Sequence, residues 1–110
     1  MKNMTLTLEM LRDANFPEGG LHVVLDGILY IGREGFFVEF SDEGIRIPIV
    51  EFEIDKRLLR TVPCYLGGPC LYNDTVRIVA NLQKTNNTVE ITSIDSGVLY
   101  RDDDDESYTF

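Results

Sequence analysis

Residues 21–50 read LHVVLDGILYIGREGFFVEFSDEGIRIPIV, a segment that encodes three β-strands in succession. Apolar and polar residues alternate through its first part, which is typical of a half-buried strand. Residues 32–35 and 41–44 carry the glycine and acidic residues of hairpin turns. The sequence therefore predicts three antiparallel strands in meander order.

Two residues within this segment constrain how the strands are used. Gly27 interrupts the first strand, and a glycine in mid-strand predicts a bulge or a sharp bend where a sheet coils. Pro48 has no backbone N–H to donate to a neighbouring strand. The third strand is therefore predicted at an edge of the sheet, or to end near one.

Helical signals flank the three strands. Residues 5–15 predict a short helix with Thr7 as its N-cap, ended by the proline and glycines of 16–20. Residues 55–60 predict one helical turn, capped by Asp55. Each helical segment is expected to be a minor element beside the sheet.

The second half of the chain predicts further strands. After a loop at 63–69, two strands are predicted at 75–82 and 89–94. A final hairpin is predicted to leave at 98–100 and return at 107–110, with an acidic tip between. The whole chain is thus expected to be mainly β.

Three strands, a connection with a helical turn and two more strands resemble the oligonucleotide/oligosaccharide-binding (OB) fold over roughly residues 21–100. The resemblance includes the mid-strand glycine. It implies a small OB-like barrel or roll of about five to seven strands, with a small sandwich as the alternative. One domain is expected over 1–110, comprising an N-terminal helical segment (1–20), the barrel core (21–100) and an acidic hairpin tip with the last strand (101–110).

The chain is strongly acidic. It has 19 Asp and Glu against 10 Lys and Arg, a net charge of −9, and five of the acids are consecutive at 102–106. Such a field repels nucleic acid and anionic membranes and favours a protein partner with a basic surface. No apolar stretch approaches the roughly 20 residues that span a bilayer, and no secretory signal is evident at the N-terminus. A cytoplasmic location is therefore expected.

Catalytic and metal-binding motifs are not evident in the sequence. His22 could serve as a general base for Cys64 or Cys70, but no spacing brings these residues together, and they are interpreted as a strand residue and two free thiols. The acidic run lacks the glycine and the length of a calcium-binding EF-hand loop. We therefore expect a non-enzymatic chain without cofactor or metal.

A small acidic chain without a catalytic set resembles the immunity proteins that neutralise bacterial toxins. The similarity concerns size, charge and class along the whole chain. It implies that this chain, as a monomer or weak homo-oligomer, binds a basic toxin domain and blocks it. The carboxylates predicted to contact the partner are Asp42, Glu43, Glu51, Glu53, Asp102, Asp103, Asp104, Asp105 and Glu106.

The alternative is an OB-like binding or assembly module within a larger complex. It requires a groove containing cations and an exposed phenylalanine, because single-stranded nucleic acid is bound by stacking within a positive channel. The cations considered for that groove are Lys56, Arg57, Arg60 and Arg77. The rings considered for stacking are Tyr30, Phe36, Phe37, Phe40 and Phe52, and core packing explains most of them.

Overall fold

The described part of the chain contains seven β-strands in one sheet and two short helices. The structure is a computed structural model that describes residues 4–12, 16–40, 43–64, 68, 70–101 and 105–110. The strands are β1 (Met4–Thr5), β2 (Leu21–Gly32), β3 (Gly35–Phe40), β4 (Ile45–Pro48), β5 (Cys70–Thr85), β6 (Thr88–Arg101) and β7 (Glu106–Thr109). The helices are α1 (Leu8–Arg12) and α2 (Ile54–Leu59).

The strands are ordered β4-β3-β2-β5-β6-β7, and β1 pairs with β2 outside this path. The pairing of β1 is parallel, whereas neighbours along the path are antiparallel. The mainly β character and the β2–β3–β4 meander are confirmed, and β4 lies at an end of the order, as Pro48 predicts. The sheet is not closed, although an isolated parallel bridge joins Ile49 to Ile91. Closure into an OB-like barrel stays a prediction.

Strand β2 changes its partners at Gly27. Residues before Gly27 pair with β5 and, at Val23 and Val24, with β1, whereas β3 pairs from Gly27 onward. The register passes Gly27 without a shift, so the bulge is excluded and the alternative, a sharp bend, stays a prediction. A Cβ atom on Gly27 would lie 2.6 Å from the Glu39 carbonyl oxygen. The glycine is needed because the backbone of β3 approaches closely at this point.

Strands β5 and β6 form one long hairpin. Asn86 and Asn87 form its turn with φ angles of 51° and 67°, a left-handed geometry that asparagine tolerates. Both strands are longer than predicted, and β6 joins two segments that the sequence separates. Two register shifts leave Thr92 and Asp95 without a paired residue in β5. Apolar and polar residues stop alternating regularly near Gly97. The bulges adjust the register, so that one continuous strand still pairs with β5 there.

Each helix differs from its prediction: α1 begins later than predicted, and α2 has a different N-cap residue. Helix α1 ends at Arg12 within the described residues, and the start of the predicted helix is the strand β1 instead. The Thr7 hydroxyl accepts a hydrogen bond from the Met10 N–H at 3.3 Å, as expected of an N-cap. In α2 the predicted cap is wrong. Glu53 occupies the N-cap position with φ 57° and without a side-chain cap bond, and Asp55 lies in the first turn.

The core lies on the inner face of the sheet. In β5, Val76, Ile78 and Ala80 are buried at alternate positions, and α2 adds Ile54 and Leu58 to the same apolar cluster. Burial of one such large side chain stabilises the fold by about 1.5–3 kcal/mol. Among the residues that the structure describes, neither helix has the length and apolar content to cross a membrane.

Candidate functional site

The acidic tip of the β6–β7 hairpin is the most distinctive surface of the described residues. Asp105 and Glu106 are exposed, and neither makes an ion pair or a side-chain hydrogen bond with another described residue. Together with Tyr100, Arg101 and Ser107 they line a cleft of about 250 Å³. Asp102, Asp103 and Asp104, which were predicted to contact the partner, lie outside the described residues.

An exposed apolar strip adjoins this tip. Tyr100 is 43% exposed and lies directly opposite Thr75 of β5, which in turn lies opposite Ile28 of β2. Directly paired residues share a face of the sheet, so Tyr100 and Ile28, itself 44% exposed, point to the same outer surface. We call these two side chains the apolar strip. The alternation along β6 does not predict that Tyr100 points outward or that Ile28 of β2 lies in the same row. Both facts depend on long-range pairing of the strands.

Arg101 lies beneath the cleft, but its charge is matched inside the protein. Its Nε and one terminal nitrogen lie 3.2 and 3.0 Å from the two carboxylate oxygens of Asp74. Its other terminal nitrogen donates to the Pro63 carbonyl oxygen at 2.8 Å. Arg101 also lies 5.6 Å from the centre of the Tyr108 ring. This buried ion pair fixes the base of the hairpin on the body of the sheet.

Tyr72 supports the same region from the core. Its hydroxyl donates to the Val62 carbonyl oxygen at 2.6 Å. Burial, together with a smaller contribution from the nearby Cys64 thiol, raises the pKa of Tyr72 to about 12. The phenol therefore remains a neutral hydrogen-bond donor at physiological pH. It ties the segment that follows α2 to β5, beside the residues that anchor the acidic tip.

Three other predicted carboxylates are engaged within the chain. Glu51 is only 17% exposed, because it accepts a hydrogen bond from the Ile94 N–H at 2.6 Å and lies 3.2 Å from an Arg57 nitrogen. Glu53 lies 2.9 Å from the Lys56 ammonium. The remaining two belong to the β3–β4 turn, which lies at the opposite end of the strand order from β7. There Glu43 forms an ion pair with Arg12, and Asp42 is outside the described residues.

The cations proposed for the alternative groove are mostly paired as well. Lys56 and Arg57 bind the carboxylates just described, and Arg77 lies 2.7 and 3.2 Å from the two carboxylate oxygens of Asp26. The hydrogen bond that Arg77 donates to Asp26 raises the pKa of Arg77, so this guanidinium stays charged. Arg60 has no ion-pair partner within the described ranges. Three of the four cations are therefore matched by carboxylates of the same chain.

Of the five aromatic residues proposed for base stacking, two stack on each other, Phe36 and Phe40 pack against the core, and one is exposed. Tyr30 and Phe37 stack with ring centres 5.0 Å apart, and the Arg46 guanidinium lies 4.5 Å from the centre of the Phe37 ring. Phe37 is therefore enclosed and only 8% exposed. Phe36 packs against the core, whereas Phe52 is 87% exposed beside α2.

The single histidine forms its hydrogen bond with a carboxylate and not with a thiol. His22 Nε2 is 2.7 Å from Asp95 Oδ2, and Asn81 donates to the other oxygen of Asp95 at 3.2 Å. The bulge at Asp95 directs this carboxylate toward β2, which no local sequence signal predicts. Cys64 and Cys70 are free and half-buried.

The described geometry places two exposed carboxylates, Asp105 and Glu106, beside the apolar strip. Across residues 4–12, 16–40, 43–64, 68, 70–101 and 105–110, no three His, Cys, Asp or Glu side chains are grouped to hold a metal ion. Comparison with protein families, curated proteins and solved structures finds no match for the chain.

Proposed function

We propose that this domain is a non-catalytic protein-binding module that captures a partner with a basic surface, as immunity proteins do with bacterial toxins. The observation that carries the proposal is the hairpin tip. There Asp105 and Glu106 are exposed and unpaired among the described residues, and they share a cleft with Tyr100.

The two parts of this surface have different physical roles. The five consecutive acids at 102–106 provide a long-range field that accelerates encounter with a basic surface and loses strength as salt is added. Tyr100 and Ile28 provide apolar contact area, and partly exposed tyrosines are frequent energetic centres of protein interfaces. Charge thus selects the partner, while the apolar strip holds it.

The test identifies and purifies the protein encoded by the gene adjacent to this one, which the proposal expects to be a toxin domain with a basic surface. We expect the chain to inhibit the toxin and the association rate to fall steeply with ionic strength. The double variant Asp105→Asn/Glu106→Gln should slow association about tenfold at low salt, because the removed charges face the partner. The matched control is Glu9→Gln/Glu18→Gln, which removes the same charge from exposed positions elsewhere. A toxin that stays fully active with excess chain, or two double variants that slow association equally, would refute the proposal.

A second candidate is an OB-like binding or assembly module, favoured by one feature of the sheet. The bridge between Ile49 and Ile91, with the Val50 N–H donating to the Ile91 carbonyl oxygen at 2.9 Å, brings the end of β4 beside β6. We infer that β2–β6 form an OB-like barrel joined at this bridge. Binding of a single-stranded oligonucleotide at moderate salt would favour this second candidate over the first.

A further inference from the structure

We propose that the outer edge of β7 is a docking site for an extended, basic segment of the partner, which adds a strand to the sheet. This inference rests on the proposed function and specifies how the partner is held. The observation behind it is that successive residues of β7 direct their backbone hydrogen-bonding groups alternately toward β6 and away from it.

The hydrogen bonds to β6 determine which backbone groups of β7 are used. Gly97 and Phe110 exchange both of their backbone bonds, at 2.8 and 2.9 Å. In an antiparallel ladder such bonded pairs alternate with unbonded ones. Tyr108 and Glu106 therefore direct their backbone groups toward β6. The N–H and C=O groups of Ser107 and Thr109 point away from the sheet.

This edge is open among the described residues. β7 is the last strand of the order, and no described group makes a hydrogen bond to the backbone of Ser107 or Thr109. Both residues are exposed. Lysine, proline and bulges, which protect many natural edge strands, do not occur at 106–110. The protection that β7 does have is its length of 4 residues and the charge of Glu106, which repels an acidic strand but attracts a basic one. Tyr108, Thr109 and Phe110 instead favour an extended strand.

The acidic residues determine what kind of strand can dock. The run at 102–106 leads directly into β7, so a segment paired with Ser107 passes beside Asp105 and Glu106. A lysine or arginine in that segment is attracted by the adjacent carboxylates, and opposite charges on neighbouring strands stabilise their pairing. A second copy of this chain would bring its own acidic run to the edge, and like charges disfavour that pairing. The occupant that fits is therefore a basic segment of another protein.

The apolar strip adds contact area for the same occupant. Ser107 lies directly opposite Tyr100, so the next strand outward places one side chain in the row that contains Ser107 and Tyr100. Backbone bonds to Ser107 and Thr109 supply affinity, while this side chain and the basic residues supply specificity.

Proline substitution tests the outer edge of β7 without disturbing the hydrogen bonds of its inner edge to β6. Ser107→Pro and Thr109→Pro each remove an N–H that points outward and leave the bonds to β6 in place. Ser107→Ala and Thr109→Val are the matched controls, because they retain the N–H. The probe is a short synthetic peptide in which valine alternates with lysine or arginine. Its counterpart, with glutamate at the basic positions, tests the role of charge.

Amide hydrogen exchange measured by NMR reports the docking directly. We expect the basic peptide to slow exchange at Ser107 and Thr109 by about tenfold or more, since both amides become hydrogen-bonded. The proline variants should weaken peptide binding about tenfold relative to the alanine and valine controls. Retained protection of the Gly97 amide would verify that β7 remains paired with β6 in each variant.

Several outcomes would overturn the inference. Proline variants that bind the peptide as tightly as their controls, or slowed exchange only at other residues, would exclude docking at the edge of β7. Equal binding of the glutamate peptide would exclude a basic occupant. Protection of Ser107 that grows with protein concentration in the absence of peptide would identify a second copy as the occupant. If the proline variants still bind and inhibit the toxin with full salt dependence, the proposed function stands and only the edge inference fails.

Discussion

Arg101 and Asp74 place two opposite charges in the protein interior, with 6% and 3% of their side chains exposed. Breaking a buried ion pair by removing one of its charges destabilises a fold by about 3–5 kcal/mol, because the remaining charge loses the attraction that offset its desolvation. We expect Asp74→Asn to lower the free energy of unfolding by about 3–5 kcal/mol, as measured by urea denaturation. The amide keeps the shape of the carboxylate but has one acceptor oxygen instead of two, so the loss combines the charge with one of the two hydrogen bonds from Arg101.

Asp26→Asn provides the matched control for this prediction. Asp26 also binds an arginine side chain through both carboxylate oxygens, but Asp26 and Arg77 lie on the exposed face of the sheet. Solvent screens such pairs, so the control should leave the free energy of unfolding nearly unchanged. Equal stability of the two variants would show that the pair at Arg101 is not electrostatically important.

At the scale of the element, β7 depends on a single glycine of β6. A Cβ atom on Gly97 would lie 2.6 Å from the Phe110 ring and 2.9 Å from Ile78. Gly97→Ala should therefore displace Phe110 and loosen β7, at a cost of about 1–3 kcal/mol in unfolding free energy. Amide exchange at Tyr108 and Phe110 should accelerate with it.

Gly19→Ala is the control for this loosening, because a Cβ atom there has no neighbour within 4 Å. It should leave the exchange of the β7 amides unchanged. If Gly97→Ala retains parental protection at Phe110, then the ring adjusts without strain and β7 does not require a glycine opposite it.

Strand β6 illustrates why element boundaries were only partly predictable. Its alternation over 89–94 is local and predicts a strand. The following residues, Ser96 and Gly97, resemble a turn in the sequence. In the structure the bulges at Thr92 and Asp95 adjust the register, and pairing with both β5 and β7 keeps this stretch extended. Those partners are distant in the sequence, so no local pattern predicts the continuous strand.

At the scale of the whole molecule, local sequence patterns predict the β2–β4 meander, whereas contacts between distant residues form the cleft at the hairpin tip. Glycines and Pro48 in the sequence predict the turns and edge of β2–β4. Glu51 resembles a surface residue because it alternates with Glu53, yet it bonds to Ile94 of β6. The acids at the hairpin tip are visible as a run, whereas their cleft with Tyr100 depends on how β6 and β7 pair.

The net charge of −9 also has a consequence for stability. Like charges concentrated at 102–105 repel one another and the rest of the acidic chain, most strongly at low salt. The variant in which Asp102, Asp103, Asp104 and Asp105 are all replaced by Asn should therefore have a higher melting temperature than the parent. The difference should vanish near ~1 M salt, where the Debye length is only about 3 Å.

Thermal denaturation over a series of salt concentrations measures this difference. Lys84→Gln is the control of opposite sign, since it makes the chain more acidic and should lower the melting temperature at low salt. A quadruple variant that is less stable than the parent would show that these acids bind cations of their own molecule, which would remove them from the partner surface. A variant that is more stable but no longer binds the toxin would show that the acids serve recognition at the expense of stability.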